Sequence, residues 1–591
     1  MIDRLLIANR GEIACRITRT CRRLGLAVVC VFTEADANAL WVREADQAFR
    51  VSSYLNGEEL VARALQCGAE AIHPGFGFLA ENVDFARSVL EAGLIWVGPG
   101  PDSMAKLASK AEAKALAEAA GIPVLTNYTL ENAEFPLLVK AVAGGGGKGM
   151  RRVDRREDLL AATQSAASEA LRSFGDDRYI LEPLLQQARH LEVQILGDGH
   201  GTVLALGERD CSLQRRHQKV LEECPAPDLP ESIRRELHAA AVRLARAADY
   251  SNAGTVEFLY SDQKFYFLEM NTRLQVEHPV TEMVYGLDLV EWQLRVAQGE
   301  RLELQLQPHG HAVEVRLYAE DPAHDHGPCA GPVLEWIAPP DVRVETALQA
   351  RDEITPYYDP MVAKLIAHGG DRQQALRKLR RALEKTVLFG VTCNRDFLKH
   401  WLDRAQSHPV FIDSLEQDAW TPDSDEWAPW AAAAAQWLQW PHEAWRNLPA
   451  PPRRWKFVER EISWAGDPCG WLDDGRLWLE RQGERRHFRV LWREDEVWVA
   501  SEKQISRLTL PAPVRAGQAA GGDRVNAPLT GSIVEIVVQP GQSVQAGELL
   551  LRLEAMKMEH RLLSPRSGTV AEVLCAPGEV VQAKSLLVRL Q

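Results

Sequence analysis

Residues Glu554 to Glu559 read Glu-Ala-Met-Lys-Met-Glu, and they lie between two copies of one sequence pattern. The copies begin at Pro528 and Pro565, and their glycines, Pro-Gly pairs and alternating apolar residues recur at an offset of 37 residues. A fixed offset indicates one structural unit used twice, and alternating apolar residues between Gly and Pro turns predict short strands. The sequence therefore predicts two units packed as a small sandwich, with Lys557 near the join between them.

Lys557 lies between two methionines, and on that pattern alone it is an ordinary solvated lysine at the end of a strand. Its place in a rigid, twice-repeated unit favours a second interpretation, in which the lysine is an attachment point. Inside this repeat, Ala555-Met556-Lys557-Met558 resembles a biotin carboxyl carrier domain, and the resemblance implies covalent biotin on Lys557. A lipoyl carrier shares the repeat and stays open as the alternative, although the flanking methionines favour biotin.

The composition predicts a multidomain protein of ordinary polarity. A length of 591 residues suggests about four domains, and the net charge of −14 argues against a general nucleic-acid binder, which would carry a basic surface. No run approaches the roughly 18 apolar residues of a membrane span, and the N-terminus enters a strand almost at once, which argues against a targeting peptide. The ten cysteines form no Cys-x-x-Cys pair. We expect a cytoplasmic protein that binds neither nucleic acid nor membrane.

The N-terminal region alternates strands and helices. Leu5–Ala8 and Ala27–Phe32 are apolar runs separated by a helical pattern through Arg23, and this order predicts a doubly wound, Rossmann-like parallel sheet. A glycine-rich loop, Ala71–Gly77, follows the next strand, and Leu94–Gly98 is predicted as another strand. The Gly-x-Gly-x-x-Gly fingerprint is missing, so a dinucleotide site is not indicated.

A run of four glycines and a lysine, Gly144–Gly149, separates the strand-like segments Leu137–Lys140 and Met150–Val153. Backbone N–H groups of such a loop approach an anion closely, and the lysine adds positive charge. The order is not that of a Walker A loop, because Val142 stands at the first glycine position and Gly149 follows the lysine. We predict a hairpin-borne loop that covers phosphates, with a flexible loop of no binding function as the alternative.

Glu257 and Glu269 lie in two alternating segments, Thr255–Tyr260 and Phe265–Met270, that predict a hairpin. The two glutamates are then opposite each other, with Asn271 on the same face as Glu269. Two carboxylates about 5 Å apart repel by roughly 3 kcal/mol at an effective dielectric of 20. Either one is protonated or a cation lies between them, and oxygen ligands of this kind suit Mg²⁺ or Mn²⁺.

These features together resemble an ATP-grasp nucleotide site, and two longer segments make the resemblance specific. Glu208–Lys219 and Glu269–Pro279 resemble the biotin carboxylase signature, and the resemblance extends over residues 1 to about 410. It implies a metal bound by Glu257, Glu269 and Asn271. For ATP it implies a set of lysines, glycines and pocket residues: Lys110, Lys140, Gly144, Gly145, Gly146, Gly147, Lys148, Gly149, Met150, Glu182, Leu185, His190, Gln214, His217 and Leu259.

The same resemblance implies a bicarbonate site made of Lys219, Arg273, Gln275, Val276 and Glu277. Glu277 is the expected general base and Arg273 stabilises the reacting intermediate, with Lys219 as a third catalytic residue. Arg343 matches the arginine that steadies the biotin enolate. A carboxylate that deprotonates bicarbonate contributes a factor of about 10²–10⁴, the usual contribution of a general base.

One departure from the family pattern concerns the lid of the nucleotide site. Between Gly121 and Lys140 the chain is shorter than the pattern, with Asn132–Pro136 where a helix usually lies. We therefore expect a trimmed lid, with consequences for closure rather than for chemistry.

Thirteen of the 17 tryptophans fall between Trp401 and Trp498. Trp427, Trp430 and Trp437 have the spacing of one helix face, and strand-like segments follow, which predicts a compact α+β domain. Those segments are Trp455–Trp464, Gly470–Glu480, His487–Arg493 and Glu496–Leu510. In position this domain resembles the one that ties the carboxylase to its carboxyltransferase subunit.

The predicted organisation is an α/β N-terminal domain, an ATP-grasp α+β domain, a small helix-plus-antiparallel-β domain and a C-terminal all-β flattened sandwich. The boundaries are 1–110 for the N-terminal domain, 111–185 for the lid subdomain, 186–415 for the carboxylase C-terminal domain, 416–511 for the interaction domain, 512–523 for an Ala/Gly/Pro-rich linker and 524–591 for the carrier domain.

The resemblance implies the biotin-containing alpha subunit of an acyl-CoA carboxylase. Carboxyphosphate formed from bicarbonate and MgATP would carboxylate biotin on Lys557. The carrier ends at Gln591, so we expect a beta subunit on a second polypeptide in a hetero-oligomer, and a biotin protein ligase as a further partner. By family analogy 3-methylcrotonyl-CoA, an intermediate of leucine degradation, is the preferred substrate, then geranyl-CoA and propionyl-CoA. A non-catalytic biotin-carrying scaffold is the alternative of a different class, whereas a pyruvate or urea carboxylase would need further domains.

Overall fold

The computed structural model describes residues 2–141, 150–174, 177–215, 218–407, 410–412, 414–417, 420–422, 425–439, 453–458, 461–464, 469–473, 476–481, 483–493, 495–510, 523–527, 531–555, 558–582 and 585–591. The predicted glycine loop at 144–149, including Lys148, lies outside the described residues, as do His217 and Lys557. Within the described chain, no helix combines the length and apolar character that a bilayer crossing requires.

The N-terminal domain is a parallel sheet covered by helices on both faces, as the alternation of strands and helices predicts. Leu5 and Ile7 of its first strand pack in one core with Ile13 and Ile17, whereas Leu6 faces a second core with Leu60. The strands are β1 Arg4–Ile7, β2 Ala27–Phe32, β3 Gln47–Arg50, β4 Ala71–His73 and β5 Ile95–Trp96, in the order β3-β2-β1-β4-β5, and the helices are α1 Gly11–Leu24, α2 Leu40–Glu44, α3 Gly57–Cys67, α4 Val83–Glu91, α5 Pro101–Ala108 and α6 Lys110–Ala119.

The lid is a three-stranded sheet backed by one helix. Its first two strands form the predicted antiparallel hairpin, with Lys140 opposite Met150. Between α6 and the lid's first strand the described chain has turns and no helix. The elements are β6 Leu137–Ala141, β7 Met150–Val153, α7 Leu159–Phe174 and β8 Tyr179–Pro183, with the strand order β7-β6-β8.

An eight-stranded antiparallel sheet forms the centre of the molecule. Ala113 and Ala117 of α6 share a core with Val193 and Leu237, so the segment before the lid hairpin packs on this central sheet. The main sheet has the order β13-β12-β9-β10-β11-β14-β21-β19. Its strands, the short strands beside it and the helices are β9 Arg189–Gly197, β10 Val203–Arg215, β11 Gln218–Cys224, α8 Glu231–Ala247, β12 Asn252–Ser261, β13 Lys264–Asn271, α9 His278–Tyr285, α10 Leu289–Ala297, β14 His311–Tyr318, β15 Glu320–Asp321, β16 Gly327–Pro328, β17 Gly331–Pro332, β18 Glu335–Ile337, β19 Arg343–Thr346, β20 Glu353–Ile354, β21 Met361–Gly369, α11 Arg372–Lys385, β22 Val387–Phe389, α12 Arg395–Ser407 and α13 Ser414–Gln417.

The interaction domain is one helix packed on a five-stranded antiparallel sheet. Ala431 and Ala434 of the helix share a core with Leu477, Phe488 and Val497 of the sheet. The helix is α14 Ala428–Gln439, and the sheet consists of β25 Cys469–Asp473, β26 Arg476–Arg481, β27 Glu484–Arg493, β28 Glu496–Ala500 and β29 Ile505–Thr509. A separate two-stranded sheet consists of β23 Arg453–Lys456 and β24 Glu461–Trp464.

The sequence interpretation of this domain is corrected at three segments. Trp455–Trp464, Gly470–Glu480 and Glu496–Leu510 each contain a pair of antiparallel strands rather than one strand. The predicted helix also begins one residue later than its first tryptophan, because the Trp427 carbonyl accepts the N–H of Ala431 at 2.8 Å and closes the first turn.

The interaction domain is anchored to the domain that precedes it. Trp498 packs on Phe389 with ring centroids 6.0 Å apart, and Arg489 Nε donates to Glu335 Oε1 at 3.0 Å. The ammonium group of Lys399 donates to the carbonyl oxygens of residues 502 and 503. Apolar packing, an ion pair and backbone contacts therefore fix one orientation.

The carrier domain is a sandwich of two four-stranded sheets, which confirms the repeat. The strands are β30 Arg524–Asn526, β31 Gly531–Ile536, β32 Ser543–Val544, β33 Leu549–Ala555, β34 Met558–Leu563, β35 Gly568–Val573, β36 Val580–Val581 and β37 Leu586–Leu590. Each strand and its counterpart in the other copy belong to different sheets, of orders β30-β37-β35-β32 and β34-β33-β31-β36. The β33–β34 ladder ends at the pair Ala555 and Met558, immediately beside Lys557 in the sequence.

Candidate active site

The two glutamates predicted to hold a metal lie directly opposite each other. Strands β12 and β13 pair with Glu257 against Glu269, and their turn has Asp262 and Gln263 at φ of 50° and 59°. This backbone is that of a two-residue hairpin turn whose twist matches the strands. Cross-strand partners have their Cβ atoms about 4.5–5.5 Å apart on one face, so the predicted hairpin is confirmed. The register shifts between Glu257 and Phe258, and this irregularity is what brings Glu257 opposite Glu269.

The two carboxyl groups titrate in opposite directions. Burial raises the pKa of Glu269, and the negative charge of Glu257 raises it further. Burial also opposes ionisation of Glu257, but the charges of Lys219 and His190 outweigh it and hold the pKa of Glu257 far below its usual value. His190 Nε2 lies 2.9 Å from Glu257 Oε2. Glu257 is therefore the more acidic of the two, and a cation between them would favour the ionised form of Glu269.

The donor set at this hairpin fits a hard divalent cation. Asn271 Nδ2 donates to Glu257 Oε1 at 2.9 Å, and Asn271 Oδ1 accepts from Arg273 Nη2 at 3.0 Å. Two carboxylates and an amide oxygen are ligands that Mg²⁺ and Mn²⁺ prefer. A cation here would stabilise the ionised form of Glu269. The nearby Lys110, at the start of α6, lowers the pKa of Glu269 but does not outweigh burial and the charge of Glu257.

Lys219 on β11 is the centre of a buried cluster of carboxylates. Its ammonium group donates to Glu257 Oε1 at 2.8 Å, to Glu277 Oε1 at 2.7 Å and to Glu192. Burial alone would lower the pKa of Lys219, but the three carboxylates raise it well above its usual value. Lys219 is therefore permanently charged, and it connects the hairpin that carries Glu257 and Glu269 to the predicted base, Glu277.

Glu277 is fully buried and lies immediately before α9. Besides Lys219, it contacts Arg316, whose Nη2 donates to Glu277 Oε2 at 3.0 Å. Burial would raise the pKa of Glu277, but Lys219, Arg316 and Arg209 hold it far below its usual value. An ionised carboxylate with a fixed orientation is what a general base requires.

The segment between β13 and α9 carries the other predicted bicarbonate residues. Arg273 Nε donates to Glu81 Oε2 at 2.9 Å, and Gln275 Nε2 donates to Glu257 Oε1 at 3.1 Å. The Val276 carbonyl accepts from Lys364 Nζ at 2.7 Å. The structure thus brings Lys219, Arg273, Gln275, Val276 and Glu277 together along one edge of the metal hairpin.

The residues predicted for the nucleotide lie on the lid and on the central sheet. Lys140 Nζ donates to Glu182 Oε2 at 2.6 Å, and Lys114 Nζ to Glu182 Oε1 at 3.1 Å. Burial opposes ionisation of Glu182, but Lys140 and Lys114 lower its pKa. Gln214 Nε2 lies 2.7 Å from His190 Nδ1 and acts as the donor. Two lysines of this site are therefore aligned by one buried glutamate.

The remaining described residues of the predicted nucleotide site are Met150, Leu185 and Leu259. Met150 faces Lys140 across the lid hairpin, and Leu259 is the β12 partner of His190 in the central sheet. Leu185 is the second residue after β8, and all three are half-buried. The predicted roles of these residues stay predictions.

Arg343 on β19 contacts carboxylates of α9 and of its own strand. Its Nη2 donates to Glu282 Oε2 at 2.7 Å and its Nε to Glu345 Oε1 at 2.7 Å. It lines a cavity of about 460 Å³ together with Arg16, Arg19 and other residues of α1. Of the predicted catalytic residues, Arg343 is thus the one that the described structure does not bring to Lys219 and Glu277.

Several residues at this site were not found from the sequence. Glu192 on β9 and Arg316 on β14 contact predicted residues, and Arg209 on β10 binds Glu192. Glu81, Lys114 and Lys364 contact predicted residues from a loop, from α6 and from β21. The sequence signal for the strand residues is a charged side chain in the middle of an otherwise apolar strand, which needs a buried partner.

Four family models match this chain. They are "Biotin carboxylase, N-terminal domain" at residues 1–104, "Carbamoyl-phosphate synthase L chain, ATP binding domain" at 101–305, "Biotin carboxylase C-terminal domain" at 314–413 and "Biotin-requiring enzyme" at 523–590.

Curated relatives and solved structures agree with these matches. The mitochondrial methylcrotonoyl-CoA carboxylase subunit alpha of Dictyostelium discoideum is 38% identical over 95% of this chain and 92% of its own length. The Rattus norvegicus protein of the same name is 46% identical over 67% of this chain, and that match spans 59% of its own length.

Two solved structures have the same architecture as the first part of the chain. The Campylobacter jejuni biotin carboxylase in complex with βγ-ATP is 38% identical, with a TM-score of 0.69 over 71% of this chain and 99% of its own. The biotin carboxylase domain of Hydrogenobacter thermophilus 2-oxoglutarate carboxylase, bound to MgADP, ADP and bicarbonate, is 39% identical with a TM-score of 0.69 over 71% of this chain and 98% of its own. The chain therefore belongs to the biotin-dependent carboxylases, a family of ATP-dependent ligases, and it joins a biotin carboxylase to a biotin carrier domain.

Proposed function

We propose that this chain is the biotin-containing alpha subunit of an acyl-CoA carboxylase, and that it carboxylates biotin on Lys557 with ATP and bicarbonate. The observation that carries the proposal is the position of Glu277, which is a buried, ionised carboxylate between Lys219 and Arg316. Lys219 also donates to Glu257, so it connects Glu277 to the hairpin whose oxygen ligands suit Mg²⁺ or Mn²⁺.

In this proposal Glu277 takes the proton of bicarbonate, and the freed oxygen attacks the γ-phosphorus of ATP. The bond between the γ-phosphorus and the bridging oxygen breaks, ADP leaves and carboxyphosphate forms. Lys219 and Arg273 stabilise the negative charge that develops on the reacting oxygens. Electrostatic stabilisation of this kind is usually the largest single contribution to catalysis. Lys140, Lys110 and the glycine loop hold the phosphates.

Lys557 would hold biotin, which would supply the acceptor for the carboxyl group of carboxyphosphate as phosphate leaves, for later transfer to the carboxyltransferase. The chain's own contribution on that side is Arg343, which we assign to the biotin end of the site. Glu282 and Glu345 fix its guanidinium by two 2.7 Å hydrogen bonds. Binding biotin there requires the ion pairs of Arg343 to open or to share their donors.

The proposed partner is a carboxyltransferase beta subunit on a separate chain, which the interaction domain would contact, and a biotin protein ligase would modify Lys557. We propose 3-methylcrotonyl-CoA as the acyl substrate, followed by geranyl-CoA and propionyl-CoA. The support is the relative of that name, which matches this chain from the carboxylase to the carrier. We place the protein in the cytoplasm, a compartment in which thiols stay reduced; the cysteines from Cys15 to Cys393 and Cys575 are free thiols.

The decisive experiment compares the full chain with Glu277→Gln in bicarbonate-dependent release of ADP with free biotin as acceptor. We expect the variant to bind ATP normally and to lose at least a hundredfold in turnover, because the amide cannot accept the proton. Unchanged turnover would contradict the assigned base. A parent chain that binds avidin through Lys557 but releases no ADP would identify a biotin-carrying scaffold instead.

The acyl substrate is tested by isolating the beta subunit that co-purifies with the chain and by measuring carboxylation of the three acyl-CoA thioesters. We expect the highest kcat/KM with 3-methylcrotonyl-CoA. Lys557→Arg should abolish avidin binding after co-expression with a biotin ligase, and equal avidin binding by parent and variant would exclude Lys557 as the attachment site.

A further inference from the structure

A second pair of facing carboxyl groups lies behind the proposed base. Glu222 on β11 and Glu314 on β14 are direct partners in the antiparallel ladder, so their side chains extend from the same face of the sheet. Both are fully buried. Glu222 Oε2 and both carboxyl oxygens of Glu314 have no hydrogen-bond partner among the described residues. Burial without partners is costly for two charged carboxylates, but one proton between them would give each a partner.

Arg316 connects this pair to Glu277. It follows Glu314 by two residues on the same face of β14, its Nε donates to Glu222 Oε1 at 2.6 Å and its Nη2 donates to Glu277 Oε2 at 3.0 Å. One guanidinium, with a single positive charge, therefore binds two carboxylates at once. The charge of Glu222 therefore determines how strongly Arg316 stabilises the ionised form of Glu277.

The groups that face the pair make a proton on it necessary. From the neighbouring elements these are Arg316 on β14, Lys364 on β21, Lys219 on β11, Cys211 on β10, Glu277 before α9 and Glu12 on α1. Lys219 is already shared by three carboxylates, and Lys364 contacts Glu12 at 3.0 Å. Burial raises the pKa of Glu314 well above its usual value and that of Glu222 to about 7.

We propose that Glu222 and Glu314 are positioning residues for the bicarbonate step. Once Glu222 has ionised, the pair holds one proton, which stays on Glu314, and the negative charge of Glu222 on the far side of Arg316 keeps Glu277 basic enough to take the proton of bicarbonate. This inference rests on the proposed role of Glu277 as the base. It adds a reason why a carboxylate held by two cations can still accept a proton, since the stabilisation that Arg316 gives to Glu277 is divided with Glu222.

The test uses two isosteric variants of the pair in the full chain, Glu222→Gln and Glu314→Gln, and the kcat/KM for bicarbonate between about pH 6 and pH 8. In the parent, this value should rise as Glu222 ionises. Glu222→Gln leaves Arg316 entirely to Glu277, so we expect a loss of about tenfold at pH 8 and no rise with pH. Glu314→Gln keeps a neutral donor beside Glu222, so we expect the rise to be retained within a factor of two of the parent.

Glu223→Gln is the matched control, because Glu223 is the next residue on β11, is equally buried and binds Arg372 and His311 away from the base. It should keep the parent pH profile whatever it does to stability. A Glu222→Gln profile that still rises like the parent, or equal losses in Glu222→Gln and Glu314→Gln, would overturn the inference. Retained turnover in Glu277→Gln would overturn the base itself, whereas an inactive Glu277→Gln together with an unaltered Glu222→Gln overturns only the role of the pair.

Discussion

At the scale of single residues, the site separates its acids into two groups. Glu257 and Glu277 touch cations, and their pKa values are lowered despite burial. Their contribution to the free energy of unfolding is present above the pKa of about 4.3 of an unfolded glutamate and is lost as the pH falls. Glu269 and Glu314 lack such contacts, and burial raises their pKa values. Each of these groups favours the folded chain only while it is protonated, so its stabilisation is lost as the pH rises through the raised pKa.

The raised pKa of Glu269 leads to a prediction about the metal. Glu269→Gln should increase the Mg²⁺ concentration for half-maximal bicarbonate-dependent turnover about tenfold, because one of two charged ligands is lost. Metal binding to the parent should weaken as the pH falls, since Glu269 must release a proton to bind the ion. The variant should lack this pH dependence, which a Mg²⁺ titration at several pH values measures.

Asp262→Asn is the control for this metal prediction. It removes the same charge from the exposed turn of the same hairpin, and asparagine tolerates the positive φ of 50° there. Its Mg²⁺ requirement should equal that of the parent. An equal shift in both variants would point to general charge loss rather than to ligation.

Sequence reasoning reached only part of this site, for a reason that the residues show. The hairpin that carries Glu257 and Glu269 was predictable from strand alternation and its turn. Alternation alone would pair Glu257 with Leu268, and an irregularity between Glu257 and Phe258 brings it opposite Glu269 instead. Glu192 and Arg316 were not predictable, because their strands meet Lys219 and Glu277 only through the order of the central sheet. No local sequence pattern predicts that strand order. The resemblance supplied the roles of Arg273 and Lys219, which spacing alone does not.

At the scale of elements, the two copies of the carrier repeat use the same turn. Gly541 and Gly578, which are 37 residues apart, have φ of 88° and 83°, and a Cβ at either position would meet nothing within 4 Å. Gly541→Ala and Gly578→Ala should therefore each cost about 1–2 kcal/mol through the backbone alone. The measurement is amide-exchange protection of the carrier strands in the full chain, which should fall equally in the two variants.

The control for the turns is Gln545→Ala, at an exposed position of the same copy. Its protection should match that of the parent. A much larger effect at one glycine than at the other would mean that the two copies are not energetically equivalent.

Element boundaries in the interaction domain show where local patterns are insufficient. The segment Gly470–Glu480 was interpreted as one strand, although its Asp474-Gly475 dipeptide is a hairpin signal. Tryptophans lie on both sides of that dipeptide, and because aromatic residues favour strand structure, the segment resembles one continuous strand. The helix of the same domain was found correctly, since its alanines and tryptophans keep a helical period.

At the scale of the whole molecule, the anchoring of the interaction domain leaves the linker as the segment that sets the carrier's range. Arg489, Lys399 and Trp498 attach that domain to the carboxylase. The predicted linker 512–523 has a length of 12 residues and spans at most about 40 Å when extended. A tether of this kind replaces free diffusion by an effective concentration on the order of mM, provided that it can span the sites.

Deleting residues 514–519 tests this role of the linker. The shortened chain should keep parent turnover with free biotin, because the carboxylase is untouched. Without free biotin, incorporation of labelled bicarbonate into the chain itself should fall at least tenfold. A Gly/Ser replacement of the same six residues is the matched control and should retain incorporation. Equal incorporation in the deletion and the control would mean that the carrier is charged by a neighbouring chain.

The exchange of strands between the two carrier sheets has a mechanical consequence. The chain enters this domain at the start of β30, whose counterpart in the other copy is β34, and Met558 at the start of β34 is the residue after Lys557. The point of entry and the hairpin that carries the predicted attachment site therefore belong to opposite sheets. The strand that leads to this hairpin, β33, has 7 residues and a length of about 20 Å. We expect rotation of the domain about its entry point to move Lys557 along an arc of that order, so a rotation adds travel that no lengthening of the tether has to supply.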